Sequence, residues 1–231
     1  MAQEDRPDPK LVDWSKKGPY RARFRKRSSI AFLYMCMGTG FLALITPLVL
    51  PLIGGYEGRY SISYFYHVPE TRDLFVACLA ATASFLIFFE GFSRRENLLL
   101  SAAGVLLLLV AFVPTTEDQC ADTMFSWHAA FAVGFFFCLF VVAVFFAKSR
   151  LEFIIWPPLR ARLSRTYNLA GILMIALPLL AYAIHLLVGR DCSHVIYWIE
   201  ASAIWAFALY WFAKTYEYKL LLGYKFPMSR R

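Results

Sequence analysis

Six long apolar runs, separated by short segments that hold nearly all the charge, decide what this chain can fold into. They extend from about Ile30 to Ile53, Asp73 to Phe92, Leu98 to Val113, Thr123 to Ala147, Leu169 to Val188 and Val195 to Ala213. About 20 apolar residues in a helix cross a bilayer. The third run is short for a crossing, so its helix is placed to begin earlier, near Arg95. The expected fold is all-α: a polytopic membrane protein with six transmembrane helices and one domain. A polar amino-terminal arm covers 1–29, the six-helix domain 30–213, and a basic tail 214–231. Composition agrees. The chain is 59% apolar and only 17% charged, where a soluble domain is about 45–50% apolar.

The net charge of +8 does not point to nucleic acid, because the basic residues sit at the ends of the apolar runs, where anionic lipid headgroups lie. Their distribution sets an orientation. The arm, the second–third and fourth–fifth loops and the tail carry 21 Lys and Arg; the other side carries Arg59, Arg72 and Arg190. That bias places both termini in the cytoplasm, with a bacterial inner membrane as the expected location. Leu159, Leu163 and Tyr167 alternate with Arg160, Arg162 and Arg165 at helical spacing, as in a short interfacial helix. The expected partners are the bilayer, anionic headgroups on the cytoplasmic side, and other membrane proteins.

The chemistry-bearing residues gather at the opposite, outward end. The stretch Ser61-Ile-Ser-Tyr-Phe-Tyr-His67-Val-Pro-Glu-Thr-Arg-Asp73 forms a polar and aromatic hinge between the first two spans. If it is helical, Ser63 and His67 share a face. All four histidines, His67, His128, His185 and His194, map to this end, with Asp73, Asp118 and Glu200. An ionisable group inside a span is costly and normally faces the bundle interior with a partner. For Glu200, nearly two turns inside the sixth run, that partner is expected to be a histidine, Arg190 or Arg72. Glu217, by contrast, falls in the tail, beyond the apolar zone.

Three functional readings compete with simple loop hydrogen bonding. Imidazoles and carboxylates from several helices are the ligand set of zinc and its neighbours, although no HxxxH or HExxH spacing is present. Ser61 or Ser63 beside a histidine could serve as a nucleophile or as the partner of a metal-bound water. A polar pocket could also bind or pass a ligand without chemistry. The leading assignment is a metal-dependent lipid hydrolase. In it the metal ligands come from His67, His128, His185 and His194, and Glu200, Asp73 or Asp118 activates water. The alternative is a non-catalytic lipid or small-molecule binder, or an accessory subunit of a membrane complex. Cys120 and Cys192 both lie in short loops on the oxidising side and are expected to form a disulfide.

The segments Ser61–His67, Arg72–Ala77, Gly91–Asn97, Ala111–Thr115 and Trp198–Phe207 resemble a family of bacterial six-span membrane proteins of unknown function. The resemblance implies the six-span fold and no particular activity. A more distant resemblance is to the alkaline-ceramidase and adiponectin-receptor hydrolases, multi-span zinc proteins. Their Ser-x3-His pair is matched by Ser63 and His67. They also carry an intramembrane Asp and a late His-x3-His; the His-x3-His is missing here, and the intramembrane carboxylate of this chain is Glu200.

Overall fold

A computed structural model describes residues 18–89, 91, 93–115, 126–154, 156–188 and 194–221, with 18–29, 182 and 185–188 described as backbone. Its regular structure in these segments is helical, as the apolar runs predict, with a loop at 55–61. The helices are α1 (Gly18–Gly54), α2 (Pro69–Phe88), α3 (Arg94–Phe112), α4 (Trp127–Val141), α5 (Pro157–Val188) and α6 (His194–Leu221). A 3₁₀ turn, Ile62–Tyr66, lies between α1 and α2, and α4 continues through a π turn (Val142–Phe146) and a 3₁₀ segment (Ala147–Phe153). Among the described residues, six helical stretches are long and apolar enough to cross a bilayer. The third does start ahead of its apolar run, at Arg94, with Ser93 as N-cap: its Oγ accepts the Glu96 N–H at 3.1 Å.

Each helix packs against its neighbours in the chain, and α6 packs back against α1, closing a ring. Six crossings put the start of α1 and the end of α6 at one end of the bundle. The 3₁₀ turn, the end of α3 and the starts of α4 and α6 lie at the other, the hinge end. Of the six spans α6 is the most buried, and it carries small residues at Ala201, Ala203, Ala206 and Ala208 where neighbouring backbones approach. Close approach is strictest between α2 and α3. A Cβ on Gly104 would lie 2.7 Å from the Ala83 carbonyl oxygen.

The 3₁₀ turn is plugged into the end of the bundle by its apolar side chains. Ile62 and Phe65 are buried with Leu50 of α1, Phe75 of α2 and Tyr197 and Ala201 of α6. Thr71 donates from Oγ1 to the Phe65 carbonyl at 3.0 Å, taking up an acceptor left over where the turn ends.

A proline explains one link between α1 and α6. Pro51 has no N–H, so the carbonyl four residues earlier, that of Pro47, loses its helical donor. In hydrocarbon such a carbonyl needs a replacement, and the buried Tyr197 hydroxyl donates to it. Tyr197→Phe should therefore cost about 1–2 kcal/mol of stability, the upper range for an interhelical hydrogen bond in a bilayer. In a Pro51→Ala background, where residue 51 regains its N–H, the same change should cost clearly less. Equal losses in thermal unfolding of the two backgrounds would contradict this account.

Candidate functional site

The hinge end is assembled from the backbone ends of three helices and the 3₁₀ turn. Ser61 is extended (φ −138°, ψ 146°), and its Oγ accepts the Ser63 N–H at 3.2 Å, capping the turn. Glu200 then reaches across from α6. Its carboxylate accepts the Ile62 N–H at 2.8 Å and the Ser61 hydroxyl at 2.9 Å. An anionic side chain at the start of a helical turn meets both its unsatisfied amides and its positive end. The expected partner of Glu200, a histidine, Arg190 or Arg72, is thus corrected: the partners are Ser61 and a backbone amide. Arg72 instead stacks on Tyr66, and Arg190 lies outside the described residues.

With its cap fixed, the turn presents Ser63 to α4. Ser63 Oγ lies 2.9 Å from His128 Nε2, and His128 Nδ1 lies 2.7 Å from the Val113 carbonyl oxygen. A carbonyl can only accept, so Nδ1 carries the hydrogen, and in the neutral ring Nε2 is the acceptor for the Ser63 hydroxyl. Chain geometry supplies both contacts. α3 stops just before Pro114, which leaves the Val113 carbonyl without a helical donor, and His128, 5% exposed, stands in the first turn of α4 beside it.

This changes the expected serine–histidine pair. Residues four apart share a face of an α-helix, but at three residues per turn they point about 120° apart. The segment is a 3₁₀ turn, so Ser63 pairs with His128 and not with His67. His67 caps the far end of the turn, with Nε2 3.0 Å from the Thr115 carbonyl oxygen and its ring edge-on to Tyr66.

The proposed metal ligands do not converge. His194, at the first residue of α6, stacks on Tyr56 with 4.2 Å between ring centres, and its Nε2 lies 3.1 Å from the Tyr56 carbonyl oxygen. It belongs to the loop after α1, apart from the contacts of His67 and His128. Both ring nitrogens of His128 are taken by protein groups. Among the described residues no three His, Cys, Asp or Glu side chains come together as a metal site requires. The described donors therefore do not fit a zinc centre. His185 is placed in α5 by its backbone alone, and Asp118 lies outside the described residues. Asp73 is exposed on α2. The expected Cys120–Cys192 disulfide also falls outside the described residues. Cys36, Cys78 and Cys138 are free thiols within the helices.

A second polar cluster, at the other end of the bundle, escaped the sequence reading. α6 continues past Ala213, and Lys214 and Glu217 are 1% and 0% exposed, so Glu217 is not a tail residue. Lys214 Nζ lies 3.4 Å from Glu217 Oε2 and 4.0 Å from Glu96 Oε1, donates to the Ala147 carbonyl at 3.3 Å, and sits 5.3 Å from the Tyr167 ring centre. Tyr167 donates its hydroxyl to Glu217. Helical spacing is the signal that could have found the cluster. Glu200, Phe207 and Lys214 repeat every seven residues, so the stripe that turns the half-buried Glu200 inward also buries Lys214.

Comparison with protein-family models, curated proteins and solved structures finds no match for this chain.

The inner cluster carries a direct prediction. Lys214→Ala leaves the Glu217 carboxylate buried without its cation and should cost about 3–5 kcal/mol, whereas Arg160→Ala, at an exposed position, should change thermal stability little. Adding Glu217→Ala to Lys214→Ala should recover part of the loss. Strictly additive losses would mean the two charges are not coupled.

Proposed function

We propose that this protein is a membrane-embedded hydrolase whose nucleophile is Ser63 and whose general base is His128. The observation that carries this reading is the hydrogen-bond relay from Ser63 Oγ through His128 to the Val113 carbonyl. A nucleophile next to a base, with the base oriented by a third group, is the arrangement that activates a hydroxyl. In the first step Ser63 Oγ attacks the carbonyl carbon of an ester while its proton passes to His128 Nε2. The Nδ1–H bond to Val113 steadies the resulting imidazolium. The leaving alkoxide then takes the proton from Nε2, and water repeats the sequence on the acyl-serine, releasing the acid and restoring the hydroxyl. Glu200 acts as a positioning residue, since it holds the turn that carries Ser63 through Ser61 and the Ile62 amide.

The charge bias supports an orientation with the hinge end facing outward and both termini in the cytoplasm, in a bacterial inner membrane. Exposed Arg160, Arg162 and Arg165, together with exposed Trp156, suit contact with anionic headgroups at the opposite end. The resemblance to bacterial six-span proteins is consistent with this placement.

The same contacts support a second reading in which the site binds without reacting. The Ser63–His128 bond ties the hinge turn to α4, a purely architectural role. One experiment separates the two. A fluorophosphonate probe should label the folded protein at Ser63, and labelling should be lost in Ser63→Ala and fall about 100-fold or more in His128→Ala, the scale of a general base. In intact cells a membrane-impermeant version should label as well as a permeant one. A folded protein that no probe labels contradicts the hydrolase and leaves the binder. Labelling by the permeant probe alone reverses the orientation.

A further inference from the structure

At the hinge end lies a cavity of ≈ 380 Å³, lined by Tyr66, His67, Pro69, Arg72 and Pro114, the last next in the chain to Val113, whose carbonyl His128 holds. Its cationic wall is prearranged. The Arg72 guanidinium carbon sits 4.9 Å from the Tyr66 ring centre, and Nη2 donates to the Tyr66 hydroxyl at 3.2 Å. A guanidinium has five N–H donors in a fixed plane, and stacking on a tyrosine holds that plane in place. Arg59 is placed the same way, 5.1 Å from the ring centre of Tyr64. The two tyrosines flank His67, with ring centres 5.7 Å and 5.4 Å from it. Pro69, the first residue of α2, lines the same cavity. Among the described residues, the nearby carboxylates Glu57, Glu70 and Asp73 are exposed and do not line it.

The surroundings are those of a membrane boundary. Phe112 and Trp127, on either side of the α3–α4 connection that starts at Pro114, are 63% and 64% exposed. Apolar chains can lie against that surface while a charged head occupies the cavity. A planar, stacked arginine at a helix start selects phosphate oxygens.

We propose that this cavity binds the phosphate of a phospholipid headgroup, and so delivers the lipid's ester linkages to Ser63. The delivery step rests on the hydrolase reading; the binding step stands without it.

The test uses the full-length protein in a neutral detergent, titrated with dihexanoyl phosphatidylglycerol, with uncharged dihexanoylglycerol and with inorganic phosphate, following the thermal midpoint. The phospholipid should raise the midpoint saturably in the wild type and in Ser63→Ala. In Arg72→Gln its half-saturating concentration should rise about tenfold or more, as loss of a charge-assisted contact implies. Dihexanoylglycerol should give no comparable rise. If inorganic phosphate stabilises as well as the phospholipid, through Arg72, the ligand is a soluble phosphate and the lipid assignment fails. An equal response in Arg72→Gln, or none in the wild type, overturns the site. An Arg72-dependent response in a protein that no fluorophosphonate labels keeps the binding site and removes the hydrolase.

Discussion

The Glu200 carboxylate is the contact on which the hinge end depends. It lies on the most buried helix and accepts hydrogen bonds from the Ser61 hydroxyl and the Ile62 amide. Those two donors mark the first residue of the 3₁₀ turn, so the bond fixes where the turn begins. The register of the turn follows: Ile62 and Phe65 point into the bundle, and Ser63 points at His128. Started one residue later, the turn would move its side chains by about 120° and separate the serine from its base.

Polar groups elsewhere in this bundle follow the same rule, that hydrocarbon tolerates a hydrogen-bonding group only with a partner. Pro51 frees a carbonyl and Tyr197 takes it; Pro114 ends α3 and His128 takes the carbonyl left at Val113. Lys214 is held by a carboxylate, a backbone carbonyl and an aromatic face. α6 supplies Tyr197, Glu200, Lys214 and Glu217, and so ties the bundle at both ends. The hinge end differs from the inner cluster in its geometry: there the bonds run serially from a hydroxyl through an imidazole, the order in which a proton can move.

Much of the architecture was legible in the sequence because a bilayer imposes length and polarity on each segment. The six spans, the early start of α3 and the unusual standing of Glu200 could all be read from the apolar runs. The pairing of Ser63 could not. It depends on whether residues 62–66 wind at 3.6 or 3.0 residues per turn, and the deciding cap comes from Glu200, 138 residues further along the chain. The histidines were correctly assigned to one end, but an end is wider than a metal site. His194 stacks on Tyr56, while His67 faces Thr115. Lys214 and Glu217 were misread because charge was taken to mark the end of a span. In α6 the two charges neutralise each other inside the bundle, and the buried stripe simply continues.

The central claim is that Glu200 sets the turn that places Ser63 against His128, and imidazole ¹⁵N chemical shifts test it most directly. With all four histidines labelled, His128, assigned by its loss in His128→Asn, should show a protonated Nδ1 and an unprotonated, hydrogen-bonded Nε2. In Glu200→Ala the hydrogen-bond shift at Nε2 should disappear while Nδ1 stays protonated on Val113. A His128 protonated on Nε2, or an Nε2 signal that Glu200→Ala leaves unchanged, would contradict the account.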